Sequence, residues 1–250
     1  MNDLLKRQTW QAGLAELVGT LFLALAALLT PAPYTALAVG LTLAAFVYAL
    51  GDLSGCNVNP AVTLGLVVTR RLSPTVGVLY LAAQLAGAAL ARLLAPLVAP
   101  LPPYAAATPA GEIVGVGFLI LTVLAVSTKF VPKSGSGVAI GAALLAGLLT
   151  TRGVLNPAIA LVMGLGGTPA LWAPLAGALV FGPLALLYLP SGDKKPAPSD
   201  DTKKPTPSTH TTSVDARGSG AARPWRPATK PVATGRPRTG DPITFTARRK

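Results

Sequence analysis

Between residues 11 and 189 the chain is a succession of apolar blocks with few charges inside them. A bilayer hydrocarbon core of ~30 Å needs about 20 apolar residues per spanning helix. Six blocks approach that length: 11–29, 34–50, 76–95, 112–130, 137–151 and 169–189. Helices satisfy their backbone hydrogen bonds internally, so the pattern predicts an all-α membrane protein, a bundle of six transmembrane helices. Two further apolar segments, 59–69 and 156–165, are too short to span, and both begin with Asn-Pro-Ala. With 51% hydrophobic and 12% charged residues, the chain falls outside the range of ordinary soluble domains. The block from Trp10 to Leu29 follows Lys6 and Arg7 as a signal peptide would, but it is long enough to span and further spans follow.

The charges set an orientation. Lys6 and Arg7 precede the first span, Arg70 and Arg71 lie between the second and third, Lys129 and Lys133 between the fourth and fifth, and Lys194 and Lys195 after the sixth. The alternate connections, 30–33 and 96–111, contain no Lys or Arg, so both termini are expected on the cytoplasmic side of the cell (inner) membrane. Arg92 and Arg152 are the exceptions. Trp10, Tyr34, Trp172 and Tyr188 fall near the ends of the blocks, where interfacial aromatics sit.

Residues 191–250 differ in kind. Of the net charge of +12, 13 Lys+Arg less 5 Asp+Glu, or +8, belongs to this segment, and residues 1–190 contribute 8 less 4, or +4. Nine prolines stand there among charges and hydroxyls. Such a composition cannot bury a core and is expected to be a disordered, basic, Pro-rich cytoplasmic tail, able to contact anionic lipid. One cysteine, Cys56, excludes an internal disulfide, and the lone histidine, His210, lies in the tail. No catalytic set and no cofactor or metal site is legible, so an enzyme is not expected.

The two halves repeat each other. Val58-Asn59-Pro60-Ala61-Val62 recurs as Leu155-Asn156-Pro157-Ala158-Ile159, and Glu16 corresponds to Glu112, offsets of 97 and 96. The repeats cover about 10–95 and 111–190, within a channel domain of 1–190. Each has three spanning blocks, an odd number, so the second must run opposite to the first across the membrane. Ala38-Val39-Gly40-Leu41 recurs as Ala139-Ile140-Gly141-Ala142, but here the offset is 101. Four residues are therefore missing between Gly141 and Asn156, and the fifth block is expected to be a short helix of about 15 residues, below the ~20 of a full span.

Asn is a strong N-cap and Pro is favoured at the first helical position. Asn59-Pro60-Ala61 and Asn156-Pro157-Ala158 thus start two re-entrant half-helices whose N-termini meet near the midplane. Each terminus carries roughly half a positive charge, and the Asn amides add donors to an otherwise apolar wall. A water held by two such donors must point its oxygen at them, which interrupts proton hopping. Half-helix dipoles are an established barrier in pores of this kind.

These stretches, with Ala15-Glu16-Leu17-Val18-Gly19-Thr20, Ser54-Gly55-Cys56-Asn57-Val58-Asn59-Pro60-Ala61-Val62-Thr63 and Ala83-Gln84-Leu85-Ala86-Gly87, resemble the major intrinsic protein family, the aquaporins and glycerol facilitators. The resemblance covers about residues 12–190 and marks a divergent, microbial-type member. It implies a homotetramer with one pore per subunit, and buried glutamates, here Glu16 and Glu112, that support the re-entrant loops. It places the pore constriction at the two Asn-Pro-Ala turns. The selectivity filter maps onto Val39, Leu148, Gly153 and Ile159. Most relatives carry Arg where Ile159 stands, and Arg152 is a candidate to fill its place. Many carry His where Asn57 stands, and the glycerol specialists carry Asp where Ala160 stands. The expected function is a passive channel for water and small neutral solutes, the alternatives being a facilitator of glycerol-like solutes and a non-conducting scaffold.

Overall fold

The computed structural model describes residues 7–128 and 131–189. The chain divides into two units, Met1–Pro198 and Ser199–Lys250, and the second lies wholly outside the described residues. The expectations placed on the tail, His210, Lys6, Lys129, Lys194 and Lys195 therefore fall outside them as well.

The described elements are helices: α1 (Arg7–Leu29), α2 (Thr35–Ser54), α3 (Pro60–Val68), α4 (Pro74–Val98), α5 (Pro109–Ser127), α6 (Lys133–Thr151), α7 (Pro157–Val162) and α8 (Pro169–Ala185). Five of them open the same way. A proline occupies the first turn of α3, α4, α5, α7 and α8, and the residue before it is Asn59, Ser73, Thr108, Asn156 or Thr168, whose side chain accepts a backbone N–H of the first turn. Proline lacks the N–H that a helix start leaves unpaired, and the cap satisfies another. Helices α1, α2, α4, α5 and α6 are long and apolar enough to cross a membrane. Helix α8 has 17 residues, ~26 Å, at the lower limit of a span.

Several boundaries differ from the sequence reading: α2 runs on to Ser54 rather than 50, α8 stops at Ala185 rather than 189, and two further differences bear on the loops. The fifth span is not a 15-residue helix: α6 starts at Lys133 and has 19 residues. The Lys-Ser-Gly-Ser stretch reads as a loop, but the Tyr48 hydroxyl accepts the Val138 N–H at 3.2 Å and donates to Ser134 O at 2.8 Å, holding that first turn in place. The missing residues lie at the other end. From Gly40 to the end of α2 at Ser54 is 14 residues, and from Gly141 to the end of α6 at Thr151 is 10. Both helices then give way to four residues, 55–58 and 152–155, before the Asn. The deletion thus removes about one helical turn, which keeps each loop the same length and the helix face in phase. The second difference is α7, six residues where 156–165 suggested ten. Gly164 adopts φ +80°, and Leu165 N–H turns back to Ala160 O at 2.9 Å, the left-handed glycine stop that ends a helix.

The packing follows the repeat. Helix α1 lies against α4 and α2, as α5 lies against α8 and α6; α3 reaches α8 and α7 reaches α4. Backbones touch where glycine stands: a Cβ on Gly87 of α4 would strike Leu17 O of α1, and one on Gly177 of α8 would strike Val116 and Ile113 of α5. With apolar solvent outside, such close approach of small residues is what holds spanning helices together. Leu93, Leu97, Val78 and Leu187 point outward with two thirds or more of their surface exposed, as lipid-facing residues do.

Candidate functional site

The two four-residue loops, 55–58 and 152–155, enter the bundle and end at Asn59 and Asn156. Each is held by a buried glutamate. Glu16 of α1 accepts from Asn57 N–H (2.8 Å) and Val58 N–H (2.7 Å), and Glu112 of α5 accepts from Val154 and Leu155 N–H, both at 2.8 Å. Both carboxyls are fully buried, where an unpaired polar group would be costly. The residue before each Asn is left-handed, Val58 at φ 44° and Leu155 at φ 59°. For a β-branched valine this is a strained conformation that the surroundings must impose.

That twist has a use. It points the N–H of Val58 at Glu16 and its carbonyl at the opposite loop. Asn156 Nδ2 donates to Val58 O at 2.9 Å, and Asn59 Nδ2 donates to Leu155 O at 2.9 Å. Each Asn Oδ1 caps its own helix, from Ala61 N–H at 2.8 Å and from Ala158 N–H at 3.1 Å. The two loops are thus clasped reciprocally. Pro60, Ala61, Pro157 and Ala158 are all buried beside them.

The loops differ in support. The carboxyl of Glu16 also accepts from Ser54 Oγ (2.6 Å) and Gln84 Nε2 (2.8 Å), and that same Gln84 nitrogen lies 2.9 Å from Thr63 Oγ1. Tyr80 donates to Ser54 O at 2.9 Å. In the second repeat, Thr151 Oγ1 accepts Gly153 N–H at 3.2 Å, but the counterparts of Thr63 and Gln84 are Ala160 and Pro174. Ser54, Thr63, Tyr80 and Gln84 carry no role in the sequence reading. A polar residue inside an apolar span, as Gln84 is, was the available signal.

Of the positions expected to form a filter, Val39 and Ile159 are buried in one apolar cluster, and Leu148 packs against it. Gly153 stands apart: its absent side chain faces Leu155, at 2.6 Å from where a Cβ would be, and the Glu112 carboxyl at 3.0 Å. Arg152 is exposed; left-handed at φ 56°, it ends α6, its N–H on Leu148 O at 3.0 Å. Cys56 is buried and also left-handed, at φ 52°. Asn57 is buried with no partner for Nδ2.

At one end of the bundle, a cavity of about 560 Å³ lies between the end of α2 and the start of α6, lined by Val47, Tyr48, Gly55, Val126 and Ile140, with the Asp52–Lys133 ion pair (2.5 Å) at its edge. Near the opposite end, in the α4–α5 connection, Tyr104 donates to Leu28 O at 2.8 Å; burial raises its pKa, an effect the nearby Arg92 charge only partly offsets. No metal-binding group of His, Cys, Asp or Glu occurs among the described residues.

An all-helical bundle of apolar spans, folded as two repeats whose Asn-Pro-Ala turns clasp each other, defines a multi-pass integral membrane protein of the aquaporin-like fold. The family model described as "Major intrinsic protein" matches residues 3–188, and the chain belongs to that family. It is 36% identical to aquaporin AqpM of Methanothermobacter marburgensis over 146 residues, 49% of this chain and 58% of that one, so it spans little more than half the length of that relative. It is 35% identical to aquaporin TIP4-4 of Zea mays over 195 residues, 67% of this chain and 76% of the relative. The solved aquaglyceroporin from Plasmodium falciparum has the same fold, with a TM-score of 0.59 at 21% identity, over 72% of this chain and 99% of that one.

Proposed function

We propose that the protein is a passive transmembrane channel for water, with small neutral solutes as further permeants, and that the two Asn-Pro-Ala turns form its central constriction. The observation that carries this reading is the reciprocal clasp of Asn59 on Leu155 O and Asn156 on Val58 O. An amide nitrogen has two N–H groups. One of each is committed to the opposite loop, and the other is the donor that would meet a permeating oxygen. Two fixed donors orient that oxygen and break the proton wire. Helix α7 has fewer than two turns, so its terminus adds less positive potential than a longer half-helix would, and the amides carry more of the barrier.

The filter in this reading is the apolar group Val39, Leu148 and Ile159, with Gly153 adding no side chain. Arg152, exposed at the end of α6, does not replace the arginine absent at Ile159. An apolar ring without a guanidinium favours solutes carrying both carbon and hydroxyl. That supports the second reading, a facilitator of glycerol-like solutes. The likeness to the relatives' channels supports conduction; a homotetramer embedded in the bilayer belongs to the same reading.

Stopped-flow light scattering of proteoliposomes under water and then glycerol gradients tests it. We expect water flux above protein-free liposomes, glycerol flux alongside it and no proton leak. Asn59→Asp and Asn156→Asp place an anion at the clasp and should lower water flux or admit cations. Normal flux without leak in both variants would place the constriction elsewhere. No flux in the unmodified protein would leave the scaffold reading.

A further inference from the structure

Arg92 is an unusual residue for its position. It lies in the spanning helix α4, six residues before Val98, so about 9 Å of helix separates it from the end. Helix α4 has 25 residues, ~37 Å, and outruns a hydrocarbon core of ~30 Å, so Arg92 falls toward the boundary of that core, near Tyr104 of the α4–α5 connection, where its long stem can carry the charge to the headgroups. The carboxylates of the described residues are all engaged: Glu16 and Glu112 are buried on their loops, and Asp52 pairs with Lys133. Nor does the repeat explain it. Gly87 corresponds to Gly177, an offset of 90, which puts Gly182 opposite Arg92, and Gly182 simply packs beside Thr69 and Gly65.

Arg92 stands instead on a groove of about 430 Å³, formed by Ala89, Arg92 and Leu93 of α4 and by Leu161 to Gly164 at the end of α7. The volume is that of a small-ligand cleft, in the range of about 300–1,000 Å³. Leu93 is 70% exposed and Leu161 44%, so the groove opens on the outer surface of the bundle rather than toward the clasped loops. Its wall is hydrocarbon apart from one guanidinium. An acyl chain fits such a wall, and a guanidinium binds a phosphate oxygen pair in a bidentate manner.

We propose that this groove is a binding site for an anionic phospholipid of the leaflet at the α4 C-terminal end, one acyl chain lying between α4 and α7 and the headgroup phosphate on Arg92. Complementarity of charge and of surface together selects the occupant. A neutral detergent or solute would leave the guanidinium unpaired, and a free phosphate would leave the apolar wall bare. The net anionic charge adds to the attraction of the phosphate itself, so phosphatidylglycerol should be held above phosphatidylcholine of the same chains.

Native mass spectrometry of the full chain in detergent, titrated with either lipid, reads this directly and independently of conduction. We expect one phosphatidylglycerol per chain to bind about fivefold tighter than phosphatidylcholine, the effect of about one basic residue. Arg92→Gln should lower phosphatidylglycerol affinity about fivefold and leave phosphatidylcholine unchanged, whatever the basic tail contributes to both proteins, while Arg70→Gln, outside the groove, should alter neither. Leu93→Trp, which fills the groove and leaves the charge, should weaken both lipids. Phosphatidylglycerol affinity unchanged in Arg92→Gln, or lipid binding unchanged in Leu93→Trp, would overturn the site. Displacement of phosphatidylglycerol by equimolar inorganic phosphate would also overturn it, in favour of a soluble anion.

Discussion

At the scale of single residues, the two glutamates carry the largest consequences. Each carboxylate accepts bonds on both oxygens, so replacing one oxygen by an amide NH₂ sets donor against donor. A buried donor left without an acceptor costs about 1–3 kcal/mol. Glu112→Gln should cost that much for one N–H of Val154 or Leu155. Each Glu16 oxygen accepts one backbone N–H and one side-chain donor, so Glu16→Gln sets its NH₂ against two donors, but Ser54 and Gln84 are side chains that can reorient, and Gln84 Oε1 is without a partner and able to accept. The two variants should therefore fall within about 1 kcal/mol of each other, despite the doubled bond count at Glu16. Thermal unfolding in detergent measures both, and a much larger loss for Glu16→Gln would mean that its side-chain partners are rigid. Gly153→Ala is a sharper case, because its Cβ would meet Leu155 and Glu112; overpacking of this kind costs about 1–3 kcal/mol. Ile159→Arg tests the proposed filter. A fixed guanidinium narrows the ring and restores donors, so glycerol permeability should fall about tenfold, with a smaller fall for water. Equal loss of both fluxes would show that residue 159 does not select.

At the scale of elements, the glycine crossings decide how closely the helices approach. Gly87→Ala places a methyl on the Leu17 carbonyl, a backbone atom that cannot swing away, and should lower stability by about 1–3 kcal/mol. Gly51→Ala, inside α2 with only Val47 near at 3.9 Å, should be neutral. Comparing their melting temperatures separates packing from a general intolerance of the helices to change. The same scale shows what the sequence discloses. Spans and half-helix starts are legible because hydrophobic length and the Asn-Pro, Ser-Pro and Thr-Pro pairs act locally. The start of α6 is not, since a tyrosine 90 residues earlier in the chain, Tyr48, fixes its first turn. The extent of α7 is missed for a different reason: Met163-Gly164-Leu165 reads as apolar continuation, while the left-handed Gly164 stops the helix. Val58 and Leu155 show the same limit at the site. Nothing in a valine or leucine announces a positive φ; the opposed loop and the glutamate behind it impose one.

For the whole molecule, the inverted repeat and the ion pair fix which helix ends share a side. Asp52 at the end of α2 pairs with Lys133 at the start of α6, and Thr69 after α3 packs beside Gly182 near the end of α8. The start of α1 and of α4, with Arg7, Arg70 and Arg71, falls on that side by the alternation of spans. The other side has Arg152 at a helix end and Arg92 within α4. Basic residues are retained in the cytoplasm during insertion, so the side with Arg7, Arg70, Arg71 and Lys133 should face inward. Thr75 and Pro103 are exposed at opposite ends, and the native Cys56 is buried and should not react. In intact cells a membrane-impermeant maleimide should label Pro103→Cys and leave Thr75→Cys unlabelled until the membrane is opened. The reverse pattern would invert the molecule and, with it, assign the Arg92 groove to the cytoplasmic leaflet. Labelling of both in intact cells would mean dual insertion, which the excess of four basic residues over two should prevent.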